Sequence, residues 1–141
     1  MSSSEASGPG RAGNKVLALV VERNPIVQRL QRFFLEQAGY EVEFSSDGAA
    51  ALARAKELRP AILITEILVP VMDGLTLCRL LKSQPETRAI IVLVFSHLEA
   101  EDRAREVGAD AFLRKPLNEE PLVDMLKRLV ALHQEILREK K

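Results

Sequence analysis

The chain has no tryptophan, a single cysteine and aromatic residues at only 4% of 141 positions, and its 20 basic and 20 acidic side chains cancel to a formal charge of zero. Each scarcity excludes something. One cysteine, Cys78, cannot build an intrachain disulfide or a multi-cysteine metal site, so a reducing, cytoplasmic setting is expected. Without a basic excess there is no general pull on a phosphate backbone, and nucleic acid is not an expected partner. No apolar run approaches the roughly 18–20 residues that span a bilayer, and the N-terminus lacks a signal-like apolar segment, so neither membrane insertion nor secretion is expected. What remains, 47% hydrophobic and 28% charged residues, fits one soluble globular domain.

Residues 1–14 are rich in Ser, Gly and Ala, offer little to bury, and are expected to form a disordered tail. From Lys15 onward, a short apolar run and a segment of helical spacing alternate five times, the pattern of parallel strands joined by crossover helices. The runs are Lys15–Val21, Tyr40–Ser46, Ala61–Thr65, Ala89–Phe95 and Ala109–Arg114. The first, third and fourth are apolar without alternation, as in strands covered on both faces, whereas the second alternates and should be more exposed.

Helix signals fall between them. Asn24 and Pro25 supply an N-cap and a first turn ahead of an apolar stripe of Ile26, Leu30, Phe33 and Phe34, which Gly39 ends. Asp47 caps a second helix with Ala51, Ala55 and Leu58 inward, and Leu77 and Leu81 mark a third. The fourth offers only Ala100, Ala104 and Val107 before Gly108, which predicts thin packing. The last starts from an Asn118 cap and carries Leu122, Leu126, Leu129, His133 and Ile136. Its extension over residues 133–141 is a contact for another chain, a connection to further sequence, or a fraying end.

Five such units with right-handed crossovers predict an α/β fold: a doubly wound five-stranded parallel sheet of order 2-1-3-4-5 with five helices. Its ligand site should lie beyond the strand carboxyl ends, at the switch point between strands 1 and 3. Glu22 and Arg23, Glu66, Ser96 and His97, and Lys115 and Pro116 occupy those ends.

In order and spacing, ALVVERNP, PAILITEILVPVMDG, VFS and GADAFLRKP resemble the response-regulator receiver domains of two-component signalling in bacteria. The resemblance covers residues 15–132 and implies the flavodoxin-like, CheY-like fold. In that family an aspartate after strand 3 takes a phosphoryl group from a histidine kinase. Mg²⁺ is held by that aspartate and an acidic pair after strand 1, while a Ser or Thr and a Lys contact the phosphoryl oxygens. The resemblance therefore places Glu66 at the acceptor position, Glu22 and Arg23 at the acidic pair, and Ser96 and Lys115 at the phosphate contacts. It also places Phe112 at the switch aromatic and Asp73, Gly74 and Pro116 at the family's turns.

Glu66 and Arg23 depart from that pattern. With Glu22 and Glu66 set against Arg23 and Lys115, the site is expected to be neutral without a metal. A guanidinium supplies no oxygen to Mg²⁺, so Mg²⁺ binding is expected to be weak or absent, with no other cofactor. The expected function is that of a degenerate receiver, a phosphorelay signalling module that is not an enzyme and is not phosphorylated. Its expected partner is a signalling protein bound through helix 4, strand 5 and helix 5, with a homodimer left open and no further output domain. The alternative is a working phosphoacceptor that tolerates Glu66 or uses Asp73, served by a histidine kinase. A flavin site has little support, because VERNP stands where a phosphate-binding loop would be. Plainer readings coexist. Glu22 and Arg23 could be a solvated turn, Glu66 a loop side chain, Lys115 a surface lysine, Phe112 core, and Ser96 a cap for helix 4. Cys78 and Met72 read as packing, and neither His97 nor His133 is given a function.

Overall fold

A computed structural model describes residues 16–115 and 119–140. The expected tail, Pro116 and the Asn118 cap lie outside the described residues, as do the side chains of Leu122, Leu126 and Leu129. The elements run β1 (Val16–Val21), α1 (Pro25–Gln37), β2 (Tyr40–Ser45), α2 (Gly48–Leu58), β3 (Ile62–Thr65), α3 (Gly74–Ser83), β4 (Ile91–Ser96), α4 (Glu101–Glu106), β5 (Ala111–Arg114) and α5 (Glu119–Lys140). All four strand pairings are parallel and the order is β2-β1-β3-β4-β5, as the alternation of runs predicts.

Side chains of opposite parity on the strands feed two layers of core. Ala18, Val20, Ile62, Ile64, Leu93 and Phe95 pack beneath α1 and α5. Leu19, Val21, Leu63 and Val92 meet Ala51 and Ala55 of α2 and Leu77, Cys78 and Leu81 of α3. A smaller cluster joins Val94, Ile67 and Leu75 to Ala100 and Ala104 around α4. That helix has six residues and one buried side chain, Ala104, in keeping with the thin packing expected of it. No helix among the described residues is long and apolar enough to cross a membrane.

Local chemistry sets the helix starts. The Asn24 side chain accepts from the amides of Ile26 (2.9 Å) and Val27 (3.3 Å), and Asp47 accepts from Ala50 at 2.7 Å. Gly39 and Gly108 follow α1 and α4 at φ 94° and 96°, where a side chain would be strained.

The stripe assigned to α1 requires correction in part, since Leu30 and Phe34 do pack against the core. Its buried line is Val27, Gln31 and Leu35, while Ile26 and Phe33 are 56% and 54% exposed. A polar residue at the centre of the buried face shifts the apparent hydrophobic phase by about a third of a turn. Leu58 of α2 is likewise only half-buried. Strand β4 begins at Ile91, because Ala89 belongs to a turn in which the buried Thr87 hydroxyl donates to the Leu81 carbonyl at 2.7 Å.

Candidate functional site

Three parallel ladders continue one step beyond their strands, and each extra step carries a site residue. The Glu22 amide donates to the Ser45 carbonyl (3.2 Å), Glu66 to Val21 (3.0 Å) and Lys115 to Ser96 (2.8 Å). Glu22, Glu66 and Lys115 are thereby fixed at the carboxyl edge of the sheet by backbone bonds, and their side chains converge with that of Ser96.

The convergence is close and dry. Lys115 Nζ lies 2.7 Å from Glu22 Oε1 and 2.8 Å from Glu66 Oε1. Glu66 Oε2 accepts from the amides of Ile67 (2.6 Å) and Leu68 (3.2 Å) and from the Ser96 hydroxyl. Glu22 Oε2 accepts from the Asn24 amide at 3.1 Å. Glu22, Glu66 and Ser96 are 2%, 4% and 0% exposed, so this is an internal network and not a screened surface pair. Burial is the largest influence on the Glu66 carboxyl and raises its pKa. Hydrogen bonds from Lys115 and Ser96, the ammonium's charge and the Leu68 amide outweigh it and hold the group below the usual carboxylate range.

Arg23 does not join this cluster. Glu22 continues the extended strand and points inward, so the next side chain points outward, and Arg23 is exposed. Among the described residues no ion pair reaches it. The expected balance of two carboxylates by two cations is therefore corrected: in the buried cluster two carboxylates share one ammonium. His97 stands at the edge, half-exposed, with Nδ1 3.7 Å from Glu66 Oε1.

The residues present do not fit a magnesium ion. The ion asks for near-octahedral oxygen ligands at about 2.0–2.1 Å. Here the inward oxygens of both carboxylates already face one ammonium, and the third acidic position is an arginine. Among the described residues no group of three metal-binding side chains is assembled.

The remaining expected residues have structural settings of their own. Asp73 caps α3, accepting from the Thr76 amide (2.9 Å) and hydroxyl (3.0 Å), and takes no part in the cluster. Ser96 does not cap α4, whose start at Ala100 has no side-chain cap; its hydroxyl also accepts from the Leu98 amide at 3.3 Å. Phe112 is half-buried against the cluster around α4. The loop between β3 and α3 closes by the Gly74 amide donating to the Ile67 carbonyl at 2.9 Å.

Gly74 stands so close that a Cβ there would collide with the Glu66 carbonyl and come within 3.0 Å of the Thr65 hydroxyl. Gly74→Ala is thus expected to cost about 1–3 kcal/mol in urea denaturation, because the obstruction is backbone and cannot turn aside.

Sequence reasoning did not identify the Ile67 and Leu68 amides. Backbone donors carry no residue signature, and only the length of the Glu66 side chain, which lets it fold back onto its own loop, points to them.

Comparison with known proteins agrees with this architecture. The model of the response regulator receiver domain matches residues 18–127. The chain is similar to the DNA-binding dual master transcriptional regulator RpaA of Synechocystis, 30% identical over 131 residues, which cover 84% of this chain and 54% of RpaA. It is also similar to the polar-differentiation response regulator DivK of Brucella anthropi, 31% identical over 112 residues, covering 77% of this chain and 91% of DivK. The chain thus spans about half of the first relative and nearly all of the second. The structure of the chemotaxis response regulator CheY4 of Vibrio cholerae superposes with a TM-score of 0.71 at 29% identity, covering 82% of this chain and 99% of that one. The chain belongs to the response regulator receiver domain family of two-component signalling.

Proposed function

We propose that this receiver acts as a protein-binding regulatory module that does not take phosphate. Receiver domains are regulatory signalling modules that interact with histidine kinases and other signalling proteins. The observation that carries the proposal is that the Glu66 carboxylate is already held by Lys115, Ser96 and two amides. In this reading, the donors that would receive phosphoryl oxygens in the family are satisfied from within. Phosphoryl transfer depends on an in-line nucleophile and on cations neutralising the equatorial oxygens. Glu66 is turned onto its own loop and the Lys115 ammonium is shared with Glu22, which opposes both requirements. Mimicry of the phosphorylated state follows from the same contacts, since a glutamate reaches one methylene farther than an aspartate.

The partner surface proposed is that of α4, β5 and α5. In support, thinly packed α4 and the half-buried Phe112 border an open hollow lined by Glu99, Asp102, Arg103 and Arg114. Incubation with acetyl phosphate and Mg²⁺ is expected to leave the intact mass unchanged. A hydroxylamine-labile increment of one phosphate would instead establish a working acceptor. Beryllofluoride with Mg²⁺ is likewise expected to leave the amide spectrum around Glu66 and Ser96 unshifted.

A further inference from the structure

Away from the pocket, the layer under α1 and α5 contains three polar side chains that the functional reading does not use. Tyr40, at the start of β2, is 4% exposed, and Gln31 of α1 and His133 of α5 are each 1% exposed. The Tyr40 hydroxyl is hydrogen-bonded to His133 Nδ1 across 93 residues of sequence. The other ring nitrogen, His133 Nε2, and the Gln31 carbonyl oxygen have no hydrogen-bond partner among the described residues. Val27, Leu35, Val130, Leu132 and Ile136 belong to the same cluster.

Burial pushes the Tyr40 phenol up to about 12 and pushes His133 below the usual histidine range. Both groups are thus neutral; with the phenol donating to Nδ1, the ring's own proton sits on Nε2, the nitrogen without a described partner. A second proton on this ring would charge it in an apolar layer. The surroundings offer that charge little. On α5 the described side chains one turn away are Val130, Ile136 and Leu137. On α1, Arg32 and Glu36 pair with each other at the surface at 3.1 Å. On β2, Glu41 and Glu43 line a surface hollow beside Tyr40 together with Glu36, and Glu43 is tied to Arg54 at 2.6 Å. No described bond joins a carboxylate to the ring.

We infer that the Tyr40–His133 pair is a proton-operated latch that docks the C-terminal half of α5 against α1 and β2 at neutral pH and releases it in mild acid. The inference is independent of whether the pocket takes phosphate. Because the ring is neutral in the docked state, its contribution is complete above the ordinary histidine value of about 6.5 and is lost as pH falls below it. Opening of one element without global unfolding is a common local event.

Tyr40 is the chain's one tyrosine, and tryptophan is absent, so intrinsic emission reports on the latch itself. The test is deuterium exchange of the full chain at pH 7.5 and 5.5, corrected for intrinsic rates, alongside that emission. Amides of residues 130–137 are expected to exchange about tenfold faster at the lower pH, with β1 and β3 unchanged and the tyrosine signal moving in parallel; tenfold corresponds to one pKa unit of linkage. His133→Leu is expected to abolish the difference. An equal loss in that variant, or no α5-specific change in the wild type, overturns the latch. Should His133→Leu fail to fold, Tyr40→Phe decides. Removing the hydroxyl withdraws a bond made to the neutral ring, so release is expected at a higher pH than in the wild type, and an unchanged midpoint overturns the inference.

Discussion

Lys115→Met is expected to lower the stability of the chain at pH 7.5 by about 3–5 kcal/mol, the usual consequence of removing one partner from a buried ionic cluster. The two carboxylates that now share the ammonium at 2.7 and 2.8 Å would face each other in a site from which water is largely excluded. Acid should narrow the deficit. In the wild type, Glu66 has a lowered pKa, so its contribution is complete above the unfolded carboxylate value of about 4.3 and is lost as pH falls through the folded-state value. In the variant a proton would replace the missing cation, so the pKa of the pair should rise and the variant should gain relative stability toward acid. Urea midpoints at pH 7.5 and pH 4 measure both effects. An equal deficit at the two pH values would show that the ammonium contributes packing and not charge.

Phe95→Ala is expected to cost a similar amount, about 3–5 kcal/mol. Phe95 is 1% exposed, sits in β4 and fills the layer beneath α1 and α5, where neighbouring strands cannot move in to close the cavity. Its ring also lies under Lys115, with Nζ 5.6 Å from the centroid, so the same side chain supports the core and the cluster's ammonium. Phe95→Leu keeps most of the filling but not the ring face. Urea denaturation is expected to rank wild type above Phe95→Leu and Phe95→Leu above Phe95→Ala. Equal losses for both variants would assign the effect to the ring face and not to volume.

The sheet could be read from sequence because buried parallel strands have a plain signature. KVLALVV, AILIT and AIIVLVF have no polar face, and Asn24-Pro25 and Asp47 announce the helices between them. The position of the candidate site was proposed from strand order alone, before any motif was used. Three things were not legible, each for a physical reason. Gln31 hides the true face of α1, since a buried glutamine looks like a surface residue. The direction of Arg23 depends on the alternation of an extended chain past its last apolar residue, where no hydrophobic signal sets the phase. The partnership of Tyr40 with His133 joins residues 93 positions apart, and no local pattern links a strand tyrosine to a histidine in the last helix.

The outer position of β2 bears on the behaviour of the protein at high concentration. A sheet ends there in backbone groups that could recruit a further strand from a neighbouring molecule, the first step of stacking into fibres. YEVEFS puts glutamate at two alternate places along that margin, Glu41 and Glu43, the second anchored by Arg54. Two molecules meeting margin to margin would oppose acid to acid, so crowding should leave the molecules dispersed instead of polymerising through this side.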